Sequence, residues 1–277
     1  MDFKSATAHG QRFLFSDSGE GPVVVLIHGF PDLPRGWKET CKSLNSAGFR
    51  TIVPYLRGYH PETIVHGRGY GGETIAEDAL RLLDAAEVDR AVLVGHDWGA
   101  AVSYRAAAAA PDRVRALCGV AIPHPAMIER SPGLLWRGRH FITLRVPSGP
   151  WLARRNDFAY IDTLIRRWAP RWSGPEREQT LADVKLAFAD PRVLEAALGY
   201  YRDASPGEGL GRLSQPALIV GGTTDIIDVE AFNRSREKFD GPCEVLIAEG
   251  AGHWPHREAA ELFQGRLIAF LNGLPEE

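Results

Sequence analysis

An aspartate stands between two glycines in Gly95-His96-Asp97-Trp98-Gly99, where the apolar run Ala91-Val92-Leu93-Val94 meets an alanine-rich stretch from Trp98 to Ala110 that Pro111 ends. The first segment has the character of a short buried strand and the second of a helix. Asp97 therefore sits on a sharp strand-to-helix turn, and small residues on both sides let the backbone turn while exposing the side chain between them. A serine in that seat needs a base before it can attack. An aspartate is already ionised at neutral pH and attacks an electrophilic carbon directly, so the residue type points to displacement at carbon through an enzyme ester.

Two further groups complete a constellation. Asp225 follows the apolar run Ala217-Leu218-Ile219-Val220 and the turn Gly221-Gly222-Thr223-Thr224, and His253 lies in Gly250-Ala251-Gly252-His253-Trp254, after the last strand-like segment. Singly, Asp225 would serve as a helix cap and His253 as a loop histidine. Together they give the order nucleophile, acid, histidine, each just past the carboxyl end of a strand. Asp228 competes for the acid's place, but Asp225 comes sooner after the strand. Upstream, Val23-Val24-Val25-Leu26-Ile27 opens into His28-Gly29-Phe30-Pro31. The backbone N–H groups of Phe30 and Trp98 are the expected donors to an oxyanion on the Asp97 carboxyl group. The Phe30-Pro31 bond could be cis or trans; trans is the structural default.

The elements that must hold these groups alternate. Strand-like segments run Gly10 to Asp17, Val23 to His28, Arg50 to Pro54, Ala91 to Val94 and Val114 to Ile122, then resume at Ala217 to Gly221 and Glu244 to Ala248, and a helix from Ala259 to Leu271 closes the chain. This predicts an α/β fold with a mostly parallel central sheet flanked by helices. The alternation breaks between Pro123 and Gly209, a stretch rich in Arg, Trp and Pro. We read residues 1–122 and 210–277 as the core domain and 123–209 as a helical cap over the carboxyl ends of the strands, where ligands bind in such sheets.

The 277 residues are 44% hydrophobic and 24% charged with a formal net charge of −3, a soluble globular composition with no electrostatic case for nucleic acid. Neither a secretory h-region nor a membrane span is evident, so the location reads as cytoplasmic. Cys41, Cys118 and Cys243 are widely spaced and read as reduced thiols, without a metal site or a disulfide framework. The cap arginines, among them Arg130, Arg137, Arg139, Arg145, Arg154, Arg155, Arg166 and Arg167, read first as a solvated surface and second as a site for an anionic partner. A homodimer stays open.

Through His28-Gly29-Phe30-Pro31, Arg57-Gly58-Tyr59, Gly95-His96-Asp97-Trp98-Gly99 and Gly252-His253, the chain resembles the α/β-hydrolase-fold epoxide hydrolases over essentially its whole length. The resemblance implies hydrolysis of an apolar epoxide to a vicinal diol, without metal or organic cofactor, assisted by cap donors to the epoxide oxygen. In Leu198-Gly199-Tyr200-Tyr201-Arg202 the matching donor is Tyr201, with Tyr200 as fallback. Aligned on Pro147, the second donor position holds His140, similar to a bacterial branch that uses a His/Tyr pair; Tyr160 is its rival. Haloalkane and haloacetate dehalogenases share the aspartate nucleophile and would need indole donors, from Trp98 and a cap tryptophan such as Trp136, Trp151, Trp168 or Trp172. A ligand-binding relative without turnover is the remaining alternative. The scheme needs a neutral His253 for ester hydrolysis, so activity is expected to fall below about pH 6.

Overall fold

In the computed structural model, which describes residues 1–65, 69–129, 131–203 and 209–275, eight strands form one sheet. They are β1 (Phe3–Ala8), β2 (Gln11–Ser18), β3 (Val23–Ile27), β4 (Arg50–Pro54), β5 (Ala91–His96), β6 (Val114–Val120), β7 (Ala217–Gly222) and β8 (Cys243–Ala248), in spatial order β1-β2-β4-β3-β5-β6-β7-β8. β1 pairs β2 and β2 pairs β4 antiparallel; every later pairing is parallel. β3, β5 and β7 are almost wholly buried and read as continuous apolar runs, as strands covered on both faces should.

The helices are α1 (Lys38–Ser46), α2 (Gly72–Ala85), α3 (Trp98–Ala109), α4 (Pro132–Arg137), α5 (His140–Arg145), α6 (Gly149–Trp168), α7 (Pro175–Phe188), α8 (Pro191–Arg202), α9 (Val229–Arg234), α10 (Pro255–Glu258) and α11 (Ala260–Asn272). Five of them, α4 to α8, fall between β6 and β7, which are themselves neighbours in the sheet. The chain thus leaves the sheet after β6, builds a helical insertion, and returns to the adjacent position. One hydrophobic core takes residues from the sheet and from the insertion alike, while a second lies on the other face against α1 and α11.

The strand expected over Gly10 to Asp17 proves to be the second arm of a hairpin. Its partner β1 is half exposed and polar at several positions, so it lacks the apolar run that marks the other strands. The turn between them is tight: His9 and Gly10 both take positive φ, 50° and 73°, the backbone of a short hairpin turn. The Phe30-Pro31 bond is cis. All three cysteines are free, and among the described residues no helix is long and apolar enough to cross a membrane. Arg130 lies outside the described residues.

Candidate active site

β5 delivers Asp97 and α3 starts at the next residue. Asp97 has φ 52° and ψ −117°, a region that side chains with a Cβ adopt only under strain. Two glycines permit this turn. A Cβ on Gly95 would strike the Gly99 carbonyl, and one on Gly99 the Ile27 carbonyl of β3, so strand, turn and helix meet closer than an alanine allows.

The Phe30 N–H donates to Asp97 Oδ1 at 2.8 Å, and the other oxygen, Oδ2, lies 3.3 Å from His253 Nε2. Of the two expected backbone donors Phe30 reaches the carboxylate; the Trp98 N–H makes no hydrogen bond to it, because Oδ1 is turned toward the loop after β3. His253 Nδ1 lies 3.1 and 3.0 Å from the two Asp225 oxygens. A carboxylate can only accept, so Nδ1 carries a proton. Asp225 and His253 have side chains 0% and 2% exposed. The competitor Asp228 points away, paired with Arg137 at 2.7 Å on the surface.

Burial alone would depress the His253 pKa, yet the charges of Asp225 and Asp97 and the hydrogen bonds to them overcome it and raise the value to about 10. Burial likewise would raise Asp97, but the hydrogen bond and charge of His253 bring its carboxyl below the ordinary value. The resting pair is therefore imidazolium and carboxylate with both carboxylates ionised; the neutral His253 expected for ester hydrolysis concerns a later state, in which Asp97 no longer carries its charge.

From the insertion, α8 packs Tyr201 against Phe30, which bonds the Asp97 carboxylate, and Trp98, which follows it. The Tyr201 ring is edge-on to Phe30 and Trp98, 5.2 Å from each, and 5.1 Å from Phe141. Burial, reinforced by the negative charge of Asp97, holds its hydroxyl well above the usual phenol value, so it stays a proton donor. Tyr200 turns the other way, donating to the Arg57 carbonyl at 3.2 Å and packing on Tyr59 and Tyr70. α5 buries His140, whose ring is 5.9 Å from that of Tyr201. Among the described residues Tyr160 makes no ring contact with Tyr201. An Arg167 guanidinium nitrogen lies 3.3 Å from His140 Nδ1. Arginine can only donate, so this contact makes Nδ1 the acceptor and leaves the ring proton on Nε2. Burial and then the Arg167 charge push the His140 pKa down to about 3, so the ring is neutral.

Several supporting groups carry no separate signal in the sequence. Trp168 accepts the His253 N–H on its carbonyl at 2.9 Å and packs its indole, tilted, 5.1 Å from the imidazole. His96, inside the glycine-flanked motif, lies with Nε2 2.8 Å from the His253 carbonyl. Glu258 accepts the Gly252 N–H at 2.9 Å and the Trp254 N–H at 3.0 Å, and its place five residues after His253 was the one available hint. Among the described residues, one group has donors suited to a cation: Asp32, His96 and His256, all buried with ligand atoms within 4.8 Å of one another. Asp32 already accepts from the Leu33 N–H at 2.8 Å and the Trp254 indole at 3.2 Å, and the group packs beneath the His253 loop.

A family model described as the alpha/beta hydrolase family matches residues 24–264. The chain is 28% identical to epoxide hydrolase A of Mycobacterium tuberculosis over 96% of each chain, and 28% identical to the AB hydrolase superfamily protein YfhM of Bacillus subtilis over 91% of each. Among solved structures, epoxide hydrolase A of Mycobacterium thermoresistibile superposes with a TM-score of 0.79 at 26% identity, covering 100% of this chain and 99% of the other. An epoxide hydrolase from Vigna radiata, at 23% identity and a TM-score of 0.82 over 98% of each chain, shares the fold. With the family model spanning both parts of the sheet and the helices inserted between them, the chain belongs to the alpha/beta hydrolase family.

Proposed function

We propose that this protein is an epoxide hydrolase that opens an apolar alkyl or aryl epoxide through an ester on Asp97. The observation that carries the reading is the division of labour on one carboxylate: Oδ1 is held by the Phe30 N–H and Oδ2 is left beside His253, with Tyr201 packed on the neighbouring Phe30 and Trp98 rings. The likeness to relatives named as epoxide hydrolases supports it. Residues 123–209 act as a cap over a core of 1–122 and 210–277, and the aromatic wall of Phe30, Trp98, Phe141, Phe188 and Tyr201 supplies an apolar lining with Pro31 beside it.

In the first step Asp97 Oδ2 attacks an epoxide carbon and the C–O bond of the ring breaks. The departing oxygen accepts hydrogen bonds from the Tyr201 hydroxyl and His140 Nε2–H and takes up a proton, leaving a hydroxyalkyl ester. Esterification removes the negative charge of Asp97, one of the two charges holding the His253 proton. The histidine then gives up that proton, which passes through solvent to the ring-opened oxygen, and becomes a base. Oriented by Asp225, it takes a proton from water, which attacks the Asp97 carboxyl carbon. The oxyanion that forms is held by the Phe30 N–H, and collapse releases the diol.

A second reading, dehalogenation on the same Asp97, draws on the buried indole N–H groups of Trp98 and Trp168, neither of which has a hydrogen-bond partner among the described residues. Such donors suit a departing halide. Intact-protein mass of His253→Gln, incubated separately with styrene oxide and 1-bromobutane, separates the two. An adduct of the whole epoxide, lost on Asp97→Ala, is the expected result. A butyl adduct alone moves the assignment to dehalogenation, and stable binding of either compound without adduct or product moves it to a ligand-binding relative.

A further inference from the structure

Six of the eight large hydrophobic side chains exposed among the described residues crowd into one short stretch: Leu135, Trp136, Phe141, Ile142, Val146 and Trp151. Leu135, Trp136, Ile142 and Trp151 are 63%, 69%, 70% and 63% exposed, as unfavourable a placement for bulk apolar area as the molecule contains. They sit on three consecutive helical segments, α4, α5 and the start of α6, joined by residues 138–139 and 146–148. The links are tight. The Gly149 N–H bonds the Val146 carbonyl at 2.8 Å, and a Cβ on Gly149 would press on the Leu144 carbonyl. α5 turns His140 and Leu144 inward and Phe141, Ile142 and Arg145 outward.

Charge is as segregated as hydrophobicity. From residue 130 to 156 the sequence holds six arginines and neither aspartate nor glutamate, in a chain of formal net charge −3. Arg137 is engaged by Asp228 and the Ile226 carbonyl. Arg145, Arg154 and Arg155 are exposed, and two arginines lie on the exposed indoles: Arg139 over Trp136 at 4.4 Å and Arg155 over Trp151 at 5.2 Å. Tryptophan, aliphatic side chains and arginine on one surface match the boundary between acyl chains and anionic headgroups. A second copy of the chain fits less well, since a two-fold pairing through this patch sets arginine against arginine.

We propose that the outer face of α4, α5 and the start of α6 docks on an anionic phospholipid surface. Phe141 gives the docking a purpose. It is partly exposed on this face, yet its ring touches Trp98 at 6.0 Å and Tyr201 at 5.1 Å. An apolar compound dissolved in the bilayer would then reach the site without crossing water. That last step rests on the reaction proposed above; the docking does not.

Co-flotation of the full chain with phosphatidylcholine vesicles, with and without phosphatidylglycerol, tests the docking without using turnover. Binding is expected with phosphatidylglycerol at low salt, and loss with phosphatidylcholine alone or at high salt. Neutralising Arg139, Arg145, Arg154 and Arg155 to glutamine should weaken partitioning by about fivefold per arginine near the surface. The triple variant Trp136→Ser, Ile142→Ser, Trp151→Ser should abolish it while leaving the thermal transition and styrene oxide turnover in vesicle-free buffer at wild-type values. No preference for phosphatidylglycerol, or binding undiminished in both variants, overturns the proposal. So does a dimer in sedimentation that the triple variant abolishes, in the absence of vesicle binding.

Discussion

Asp97, Asp225 and His253 form a unit in which each group's charge depends on the others, and its pH behaviour follows. In the resting enzyme the two carboxylates hold the His253 proton up to about pH 10, so an isolated histidine's ordinary value is the wrong guide. On the proposed mechanism, alkylation of Asp97 would delete one of those charges, and the histidine of the ester should titrate lower. Turnover limited by ester hydrolysis should therefore rise with pH through an apparent pKa well below 10, whereas ester formation, which needs only an ionised Asp97, should stay flat across that range. Single-turnover and steady-state pH profiles measured together check this; ester hydrolysis that appears only near pH 10 would sink the idea that esterification frees the base. These three residues were legible in the sequence because each is a reactive type at the end of a strand-like run. Trp168, Arg167 and His96 were not, since each acts through space on a group from another element: the Trp168 carbonyl on the His253 N–H, Arg167 on His140 Nδ1, His96 on the His253 carbonyl. Tyr201 and Tyr200 differed in the sequence only by the resemblance that favoured the former, and the Tyr200 bond to the Arg57 carbonyl shows which of them packs.

At the scale of elements, the turn between β5 and α3 stores strain where Asp97, the proposed nucleophile, sits. Asp97 at φ 52° and ψ −117° occupies backbone space natural to glycine, and such positions cost on the order of 1–3 kcal/mol. Asp97→Gly and Asp97→Ala both delete the carboxylate and its partnership with His253, so their difference isolates the backbone. Asp97→Gly should be the more stable of the two by about 1 kcal/mol in urea unfolding, although glycine normally loses that comparison to alanine. Equal stabilities would mean that the surrounding turn relaxes without strain. The glycines flanking Asp97 announced this turn in the sequence. β1 was announced far less, because an edge strand with one polar, solvated face has little apolar pattern to display.

For the whole molecule, the insertion and the sheet are interrupted in sequence but continuous in packing. Trp168 and Trp172 come from the insertion, and the ring of Trp254, the residue after His253, stacks on both, at 6.3 and 5.1 Å. Arg257 then reaches across to Glu176 at 2.8 Å and Thr180 at 2.7 Å on α7. Phe30 from the β3 loop stacks on Phe188 of α7 at 5.8 Å. These contacts make the insertion a wall of the same core that holds Ile27, Leu93 and Leu117 of the sheet. A division read at residues 123 and 209 from the pause in strand-like segments therefore need not be a division in stability. We expect one calorimetric transition for the full chain, with van't Hoff and calorimetric enthalpies in agreement. Trp172→Ala removes the indole that covers Trp254 from the insertion side and should cost about 3–5 kcal/mol, lowering that single transition rather than splitting it. An early transition confined to the insertion, with the sheet melting later at its original temperature, would show instead that the shared aromatic wall is too weak to couple the two, and that the residues holding His253 open independently of the sheet that carries Asp97.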